Sequence, residues 1–313
     1  MTPAVSVLVT AYNRERFIGA SIESVLAQTF TDFELVIVDD CSTDGTLEIA
    51  RRYERLDNRV RVVANEHNLG QFPNRNRAAD LARAEFMKFH DSDDLMYPHC
   101  LQVMVSMMRS EPGAGFGLSI GLAWPGGPCP MLLTPRMAYQ REFFGQGIAS
   151  PGPAGAIFRT AVFRRLGGFE DVGVPSDTLF WLRACAAENT LLLPADLFWY
   201  RTHKDQEFHS PAAQAQYAKA AGWMWDALNA PTCPLTPDER EQAKRNRAFR
   251  LAKRTLQDVR RGRWRYSFER VRHSKMTIGD WLRYLRPPRL DTFAGTPLDA
   301  NGEFIVPTWA SKR

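Results

Sequence analysis

The chain has 313 residues, 44% hydrophobic and 24% charged, with 40 Lys and Arg against 35 Asp and Glu for a net charge of +5. That length suits one large domain or two smaller ones, and the balance excludes disorder, collagen and coiled coil as descriptions of the whole. The five cysteines (Cys41, Cys100, Cys129, Cys185, Cys233) are widely spaced and form no CxxC pair. They suit a reducing compartment rather than a disulfide framework or a zinc site.

The opening Met-Thr-Pro-Ala-Val-Ser shows neither a basic leader nor a cleavage-site pattern. No signal peptide is expected there, and the expected location is the cytoplasm or the inner face of the cell membrane. The uncharged stretch 113–135 has the length of a membrane span, but Pro125, Pro128, Pro130 and its glycines would break a helix.

Short β-branched runs begin the chain: Val5–Val9, then Glu34–Val38, Val60–Val63 and Phe86–Phe89. Runs this apolar belong in a sheet covered on both faces. Between them, Phe17, Ile18, Ile22, Val25 and Leu26 share one helical face; Asp44 can cap a second helix, and residues 78–84 suit a third. Strand and helix alternating every 25 residues or so predict a doubly wound, mostly parallel α/β sheet.

From Gly113 to Gly173 frequent Gly and Pro predict loops and short strands. Residues 180–187 read as helix and Asn189–Leu193 as a strand. Beyond residue 210 the pattern is helical and basic as far as Arg286, before Pro287-Pro288 and an irregular tail. The expected organisation is a catalytic unit over 1–210, split into a donor half 1–112 and an acceptor half 113–210, followed by a helical basic extension over 211–313.

Familiar nucleotide motifs are missing. No GxGxxG follows the first strand and no GxxxxGK[ST] occurs. Gly117-Leu-Ser119-Ile-Gly121 has the GxSxG form, but Trp124-Pro-Gly-Gly-Pro128 cannot start the helix that a nucleophile elbow needs.

In an open α/β sheet the ligand lies beyond the carboxyl ends of the strands. There stand Thr10-Ala11-Tyr12-Asn13 after strand one, Asp39-Asp40-Cys-Ser-Thr-Asp-Gly45 after strand two, and Asp91-Ser92-Asp93-Asp94 after strand four. Any one of these could be a solvated turn. Together they put an aromatic ring and two acidic clusters on one edge, and carboxylates so placed suit Mg²⁺ or Mn²⁺ bridging to a diphosphate.

These segments, with Asn68-Leu-Gly70, Arg75-Asn76, Gly167-Gly-Phe-Glu170, Ser176-Asp-Thr-Leu-Phe-Trp-Leu-Arg183 and Tyr200-Arg-Thr-His203, resemble family 2 inverting glycosyltransferases of the GT-A fold. The resemblance covers roughly residues 3–205. It implies a nucleotide-binding set of Thr10, Ala11, Tyr12, Asn13, Asp40, Arg75, Asp91 and Ser92. Tyr12 would stack on the base, Asp40 would accept an imide N–H of the kind uracil offers, Arg75 would approach the diphosphate and Asp91 the ribose. It further implies Asp93 as metal ligand, His203 as a second one, and Asp177 as general base.

The implied reaction is metal-dependent transfer from a nucleotide-diphosphate sugar, a UDP-sugar first, to a glycan or lipid-linked acceptor in bacterial surface-polysaccharide synthesis. Such a displacement needs a base for the acceptor proton and a Lewis acid for the leaving diphosphate. The alternatives are a nucleotidyltransferase, whose Gly- and Arg-rich first loop is missing, and a catalytically silent nucleotide-sugar binder or scaffold.

The chain departs from the family where Ser176 replaces the usual Glu before the base. Asp177 could instead cap a helix over 179–187, although base is preferred and one residue can do both. His209 is a weaker candidate than His203, while His90 is expected to be buried and hydrogen-bonded. Core packing is the default for Trp181 and Trp199. Lys244–Lys275 holds 13 Lys and Arg against 2 acids, interleaved with aromatic and aliphatic residues. Packing on the catalytic unit and docking of 244–286 to an anionic membrane rank equally there, ahead of nucleic acid.

Overall fold

A computed structural model describes residues 2–120, 129–145, 147–149, 151–203, 213 and 216–284. Its centre is an eight-stranded sheet in the order β3-β2-β1-β4-β8-β6-β9-β7. The strands are β1 (Val5–Ala11), β2 (Phe33–Asp39), β3 (Val60–Ala64), β4 (Phe86–Asp91), β6 (Phe116–Ser119), β7 (Met131–Leu133), β8 (Ala156–Arg159) and β9 (Thr190–Leu193). The first four pair in parallel. Beyond them β8 runs antiparallel to β4 and to β6, β6 and β9 are parallel, and β7 is antiparallel to β9. Two short strands, β5 (Leu95–Met96) and β10 (Phe198–Trp199), form a separate antiparallel ribbon.

Strand periodicity divides the interior in two. Val5, Val7 and Val9 of β1 meet helices α1 (Ile18–Leu26), α2 (Thr46–Leu56) and α4 (Cys100–Ser110). Leu8 points to the other face, with Val36, Val38, Met87 and Phe89. That second face carries α3 (Gln71–Leu81), α5 (Pro135–Phe144), α6 (Thr160–Arg165) and α7 (Ser176–Ala187). Its centre is aromatic: Phe158 stacks on Trp181 at 5.7 Å and meets Phe163 edge-on at 5.2 Å.

The third helix starts earlier than expected and ends at Leu81. Gly70, at φ 89°, turns the chain into Gln71. At the other end Ser6 Oγ accepts both the Arg83 and the Ala84 N–H, holding those residues out of the helix. The sequence reading also missed α5 and α6 in the Gly- and Pro-rich region. The α5 start was readable, since Thr134 caps it through Met137 N–H with Pro135 next.

The basic extension forms α8 (Ala220–Asn229), α9 (Pro237–Arg260), α10 (Trp264–Arg272) and α11 (Ile278–Tyr284). It packs on the sheet face that carries α5 and α7. Met224, Leu228, Leu235 and Ala243 join the aromatic core, and Glu239 receives Arg136 at 2.8 Å and Gln140 at 2.6 Å from α5. Thr236 and Glu239 cap each other's backbone N–H at the start of α9. The expected boundary near residue 210, His209, Gly121, Trp124-Pro128, Pro287-Pro288 and the tail lie outside the described residues. No helix among the described residues is long and apolar enough to cross a membrane.

Candidate active site

Parallel pairing sets the site. Thr10 pairs with Val38 on one side and Asp91 on the other, and Ala11 pairs with Asp39. The three carboxyl-terminal loops are therefore neighbours by register. The first loop turns at Asn13, whose φ of 52° is left-handed and is a conformation asparagine tolerates well. Asn13 Oδ1 accepts Thr43 N–H at 2.8 Å, and Asn13 N–H reaches Ser42 Oγ at 3.0 Å. Its side chain thus ties loop one to loop two. Ala11 is buried in the strand, and Tyr12 stands 46% exposed with its ring available to a base.

Asp40 is nearly closed off. Its carboxylate accepts Asn65 Nδ2 at 2.7 Å, Leu69 N–H at 2.9 Å and Gly70 N–H at 2.9 Å. A carboxylate has about four acceptor positions, so the residue anchors the 65–70 loop and keeps one position in reserve. Asp39, which the sequence reading did not single out, is buried beside it. One of its oxygens takes Ser42 N–H at 3.0 Å, while Oδ1 has no partner among the described residues.

Arg75 lies on α3 with its guanidinium 2.5 Å from Asp91 Oδ1 and 3.3 Å from Thr10 Oγ1. The pair crosses between the strand ends and joins three of the expected nucleotide residues. Asp91 also fixes α1, through its carbonyl and Ser21 Oγ. Ser92 is buried in the turn.

Asp93 is the meeting point of an imidazole and a guanidinium group. His203 Nε2 lies 3.1 Å from its Oδ2, and Arg14 Nε lies 3.3 Å from the same oxygen. The His203 ring rests on Phe17 at 4.6 Å. Asp94 is fully buried and accepts Arg201 N–H at 3.0 Å, while Arg201 Nε donates to the Asp93 carbonyl at 2.8 Å. Burial, and after it the Asp91 charge, pushes the Asp94 carboxyl up. The segment before His203 is thus fastened to the acidic turn over two adjacent residues. Arg14 was missed, and Asp39, Asp94 and Arg201 were named only within their motifs and given no role. Each stands beside a residue the sequence singles out, but only the tertiary contacts distinguish them.

Asp177 lies in the first turn of α7, inside the helix; Pro175 holds the cap position. It is therefore not the N-cap considered from sequence. Burial pushes its carboxyl up to about 6, against hydrogen bonding from Thr178 N–H and the positive charge of Arg75. The Asp91 charge adds to the rise, which sets Asp177 in the field of the Arg75–Asp91 pair. Ser176 is buried, donating to the Gly173 carbonyl and accepting Val172 N–H, so it shapes the loop before the helix.

Other expectations resolve plainly. His90 is buried as expected; burial and then Lys88 push it down to about 3, against a hydrogen-bonding contribution from the Asp94 backbone, so it is neutral. Trp181 is core, its Nε1–H bonded to the Pro151 carbonyl at 2.7 Å. Trp199 is not: it is 45% exposed, because β5 and β10 form a ribbon outside the main sheet. Ser119 Oγ donates to the Pro194 carbonyl, which leaves the GxSxG-like segment a strand end.

Among the described residues no group of three His, Cys, Asp or Glu side chains forms a cation cage. Asp93 and His203 nevertheless bring one carboxylate oxygen and one imidazole nitrogen within 3.1 Å of each other. Two such donors fit a Mn²⁺ or Mg²⁺ ion that takes its remaining ligands from water and a substrate diphosphate.

The chain belongs to glycosyl transferase family 2, whose family model matches residues 6–166. The Escherichia coli protein WfgD, a UDP-Glc:alpha-D-GlcNAc-diphosphoundecaprenol beta-1,3-glucosyltransferase, is 39% identical over 104 residues, 33% of this chain and 40% of WfgD. The chain therefore spans under half of that relative. Among solved structures, S. aureus TarS 1-349 in complex with UDP-GlcNAc superposes with a TM-score of 0.66 at 24% identity, over 90% of this chain and 82% of TarS. The mannosyltransferase PcManGT of Pyrobaculum calidifontis, in complex with GDP-Man and Mn²⁺, gives 0.60 at 19% identity, over 88% and 87%. At those identities the likeness is one of fold: the GT-A fold, with its mostly parallel central sheet and flanking helices.

Proposed function

We propose that the chain transfers a sugar from a UDP-sugar to a hydroxyl of a glycan or lipid-linked acceptor, with inversion and in one displacement. The observation that carries this reading is Asp177, a carboxylate pushed up to about 6 beside the Arg75–Asp91 pair. A general base works best with a pKa near the working pH. The names of WfgD and TarS support a UDP donor, and WfgD supports a lipid-linked acceptor.

Tyr12 stacks on the base, and the remaining acceptor position of Asp40 takes its imide N–H. Thr10, Ala11, Asn13 and Ser92 shape the rim, while Arg75 and Asp91 orient the ribose and diphosphate. Asp177 receives the acceptor hydroxyl proton as that oxygen bonds to the anomeric carbon. The bond from the anomeric carbon to the diphosphate oxygen breaks on the opposite face, and its electron pair leaves with UDP. One carboxylate suffices for inversion by single displacement, since no glycosyl-enzyme has to form. Asp93 and His203 would hold a divalent cation, which would supply Lewis acidity toward the leaving diphosphate; the Mn²⁺ in PcManGT supports this.

The proposal includes a catalytic unit over 1–210 and peripheral contact of 244–286 with an anionic membrane. Trp264 and Phe268, 64% and 67% exposed among arginines, support the contact. The test is thermal-shift screening against UDP, GDP, dTDP and CMP with and without Mn²⁺. A Mn²⁺-dependent rise with UDP, lost in Asp93→Ala, is expected. A rise with GDP alone would overturn the donor, and no rise with any of them would overturn the reading.

A further inference from the structure

Away from the strand ends, α8, α9 and α10 border an open cavity of about 380 Å³. Four guanidinium groups line it, those of Arg247, Arg250, Arg254 and Arg270, and no carboxylate does. Their neutralisation is incomplete. Arg270 is held by Asp258 at 2.8 Å and lies over the Tyr266 ring at 4.4 Å, yet its Nη1 is buried without a hydrogen bond. Arg250 has one donor on the Phe144 carbonyl. Among the described residues the Arg247 side chain makes no hydrogen bond or ion pair and its Nε is buried, while Arg250 and Arg254 stand exposed at the mouth of the cavity. Burial foremost, and the three neighbouring guanidinium groups after it, lower Arg247 to about 10, against the pull of Glu142.

Withdrawing the unpaired Arg247 charge from water is costly, and the exposed Arg250 and Arg254 beside it add like charge around the same space. Such an arrangement suits an anion supplied from outside. Three of the charges lack a carboxylate partner, so a ligand with two or three negative charges matches them better than a monoanion. The guanidinium fork matches phosphate oxygens geometrically. Apolar wall from Met224 and the Tyr266 ring leaves room for the carbon chain of a diphosphate ester.

We infer that the cavity between α8, α9 and α10 is a second anion site, built for a diphosphate group and separate from the nucleotide edge. Its helices pack on the face that carries Asp177's helix: Met224 and Leu228 of α8 share one core with Phe180 and Trp181 of α7. The site does not depend on the proposed transfer reaction. Two sources would carry this chemistry, a soluble diphosphate or a diphosphate lipid headgroup.

The experiment titrates the full chain with inorganic pyrophosphate and follows the thermal midpoint, in the wild type and in Arg247→Gln/Arg254→Gln. The expected result is a rise in the wild type and an apparent affinity at least tenfold weaker in the double variant, with the UDP-dependent rise unchanged. No rise in the wild type, or an equal rise in both proteins, overturns the inference. Should the double variant fail to give a folded far-ultraviolet spectrum, Arg254→Gln alone is used, with the same tenfold weakening expected and an unchanged affinity overturning it. Vesicles with and without a diphosphate lipid form the second arm. Diphosphate-dependent cosedimentation lost in the variant assigns the headgroup as source, and its absence in the wild type assigns the soluble ligand.

Discussion

His203 Nε2 and Asp93 Oδ2 lie 3.1 Å apart although 110 residues separate them in the chain. The Phe17 ring beneath the imidazole and the Arg201 contacts beside it fix the approach. If the two atoms share one cation, Asp93→Ala removes the Mn²⁺-dependent part of the UDP thermal shift altogether. His203→Ala weakens Mn²⁺ binding by at least roughly tenfold, the scale on which outer-shell partners already act. Isothermal titration of Mn²⁺ in the presence of UDP checks both, and equal affinities in all three proteins would sink the assignment.

The proposed base role of Asp177 fixes an expected pH dependence. Burial pushes its carboxyl up to about 6, and the base must be ionised to accept a proton. kcat/KM therefore climbs about tenfold per pH unit below 6 and levels off above it. Asp177→Asn loses roughly 10²–10⁴-fold in rate and the acidic limb together. A rate that falls as pH rises through 6 would contradict the role.

Arg75 is buried and bonded to both Asp91 and Thr10. Lysine at this position keeps the charge and loses the fork. Arg75→Lys should weaken UDP binding by about 10- to 100-fold, the worth of a hydrogen bond to a charged group. Calorimetric titration with UDP reads it, and an unchanged affinity would place Arg75 in the scaffold alone.

Thr236 tests the extension. Thr236→Ala removes the side-chain half of the cap on α9, at a cost of about 1 kcal/mol. The thermal midpoint should fall by roughly 2–4 °C, with UDP affinity unchanged. Loss of nucleotide binding would mean that α9 reaches the donor edge.

The parallel half of the fold was legible because β1, β2 and β4 are apolar on both faces and their acidic or polar ends repeat in step. Asp40 and Asp91 could be singled out for the same reason, and Arg75 through the family resemblance of its segment. The antiparallel half was not, since β6, β7 and β8 are three or four residues long and carry little periodicity. Arg14 and Arg201 escaped because an arginine in a loop looks solvated until the Asp93–Asp94 turn is seen beside it. Packing of the extension on α5 was one of two equal readings, and it needed Glu239 to find Arg136 and Gln140 across about a hundred positions.

Consider the register of β1 once more, with Thr10 opposite Asp91 and Ala11 opposite Asp39. An inserted residue between Val5 and Thr10 would preserve the composition and the apolar content of the strand. It would also send every later side chain to the opposite face, turning Thr10 from Arg75 toward the α1 side. The chain can accept length changes in its loops, but the spacing within this heptapeptide behaves like the thread of a screw. An extra half-turn misaligns everything fastened to it.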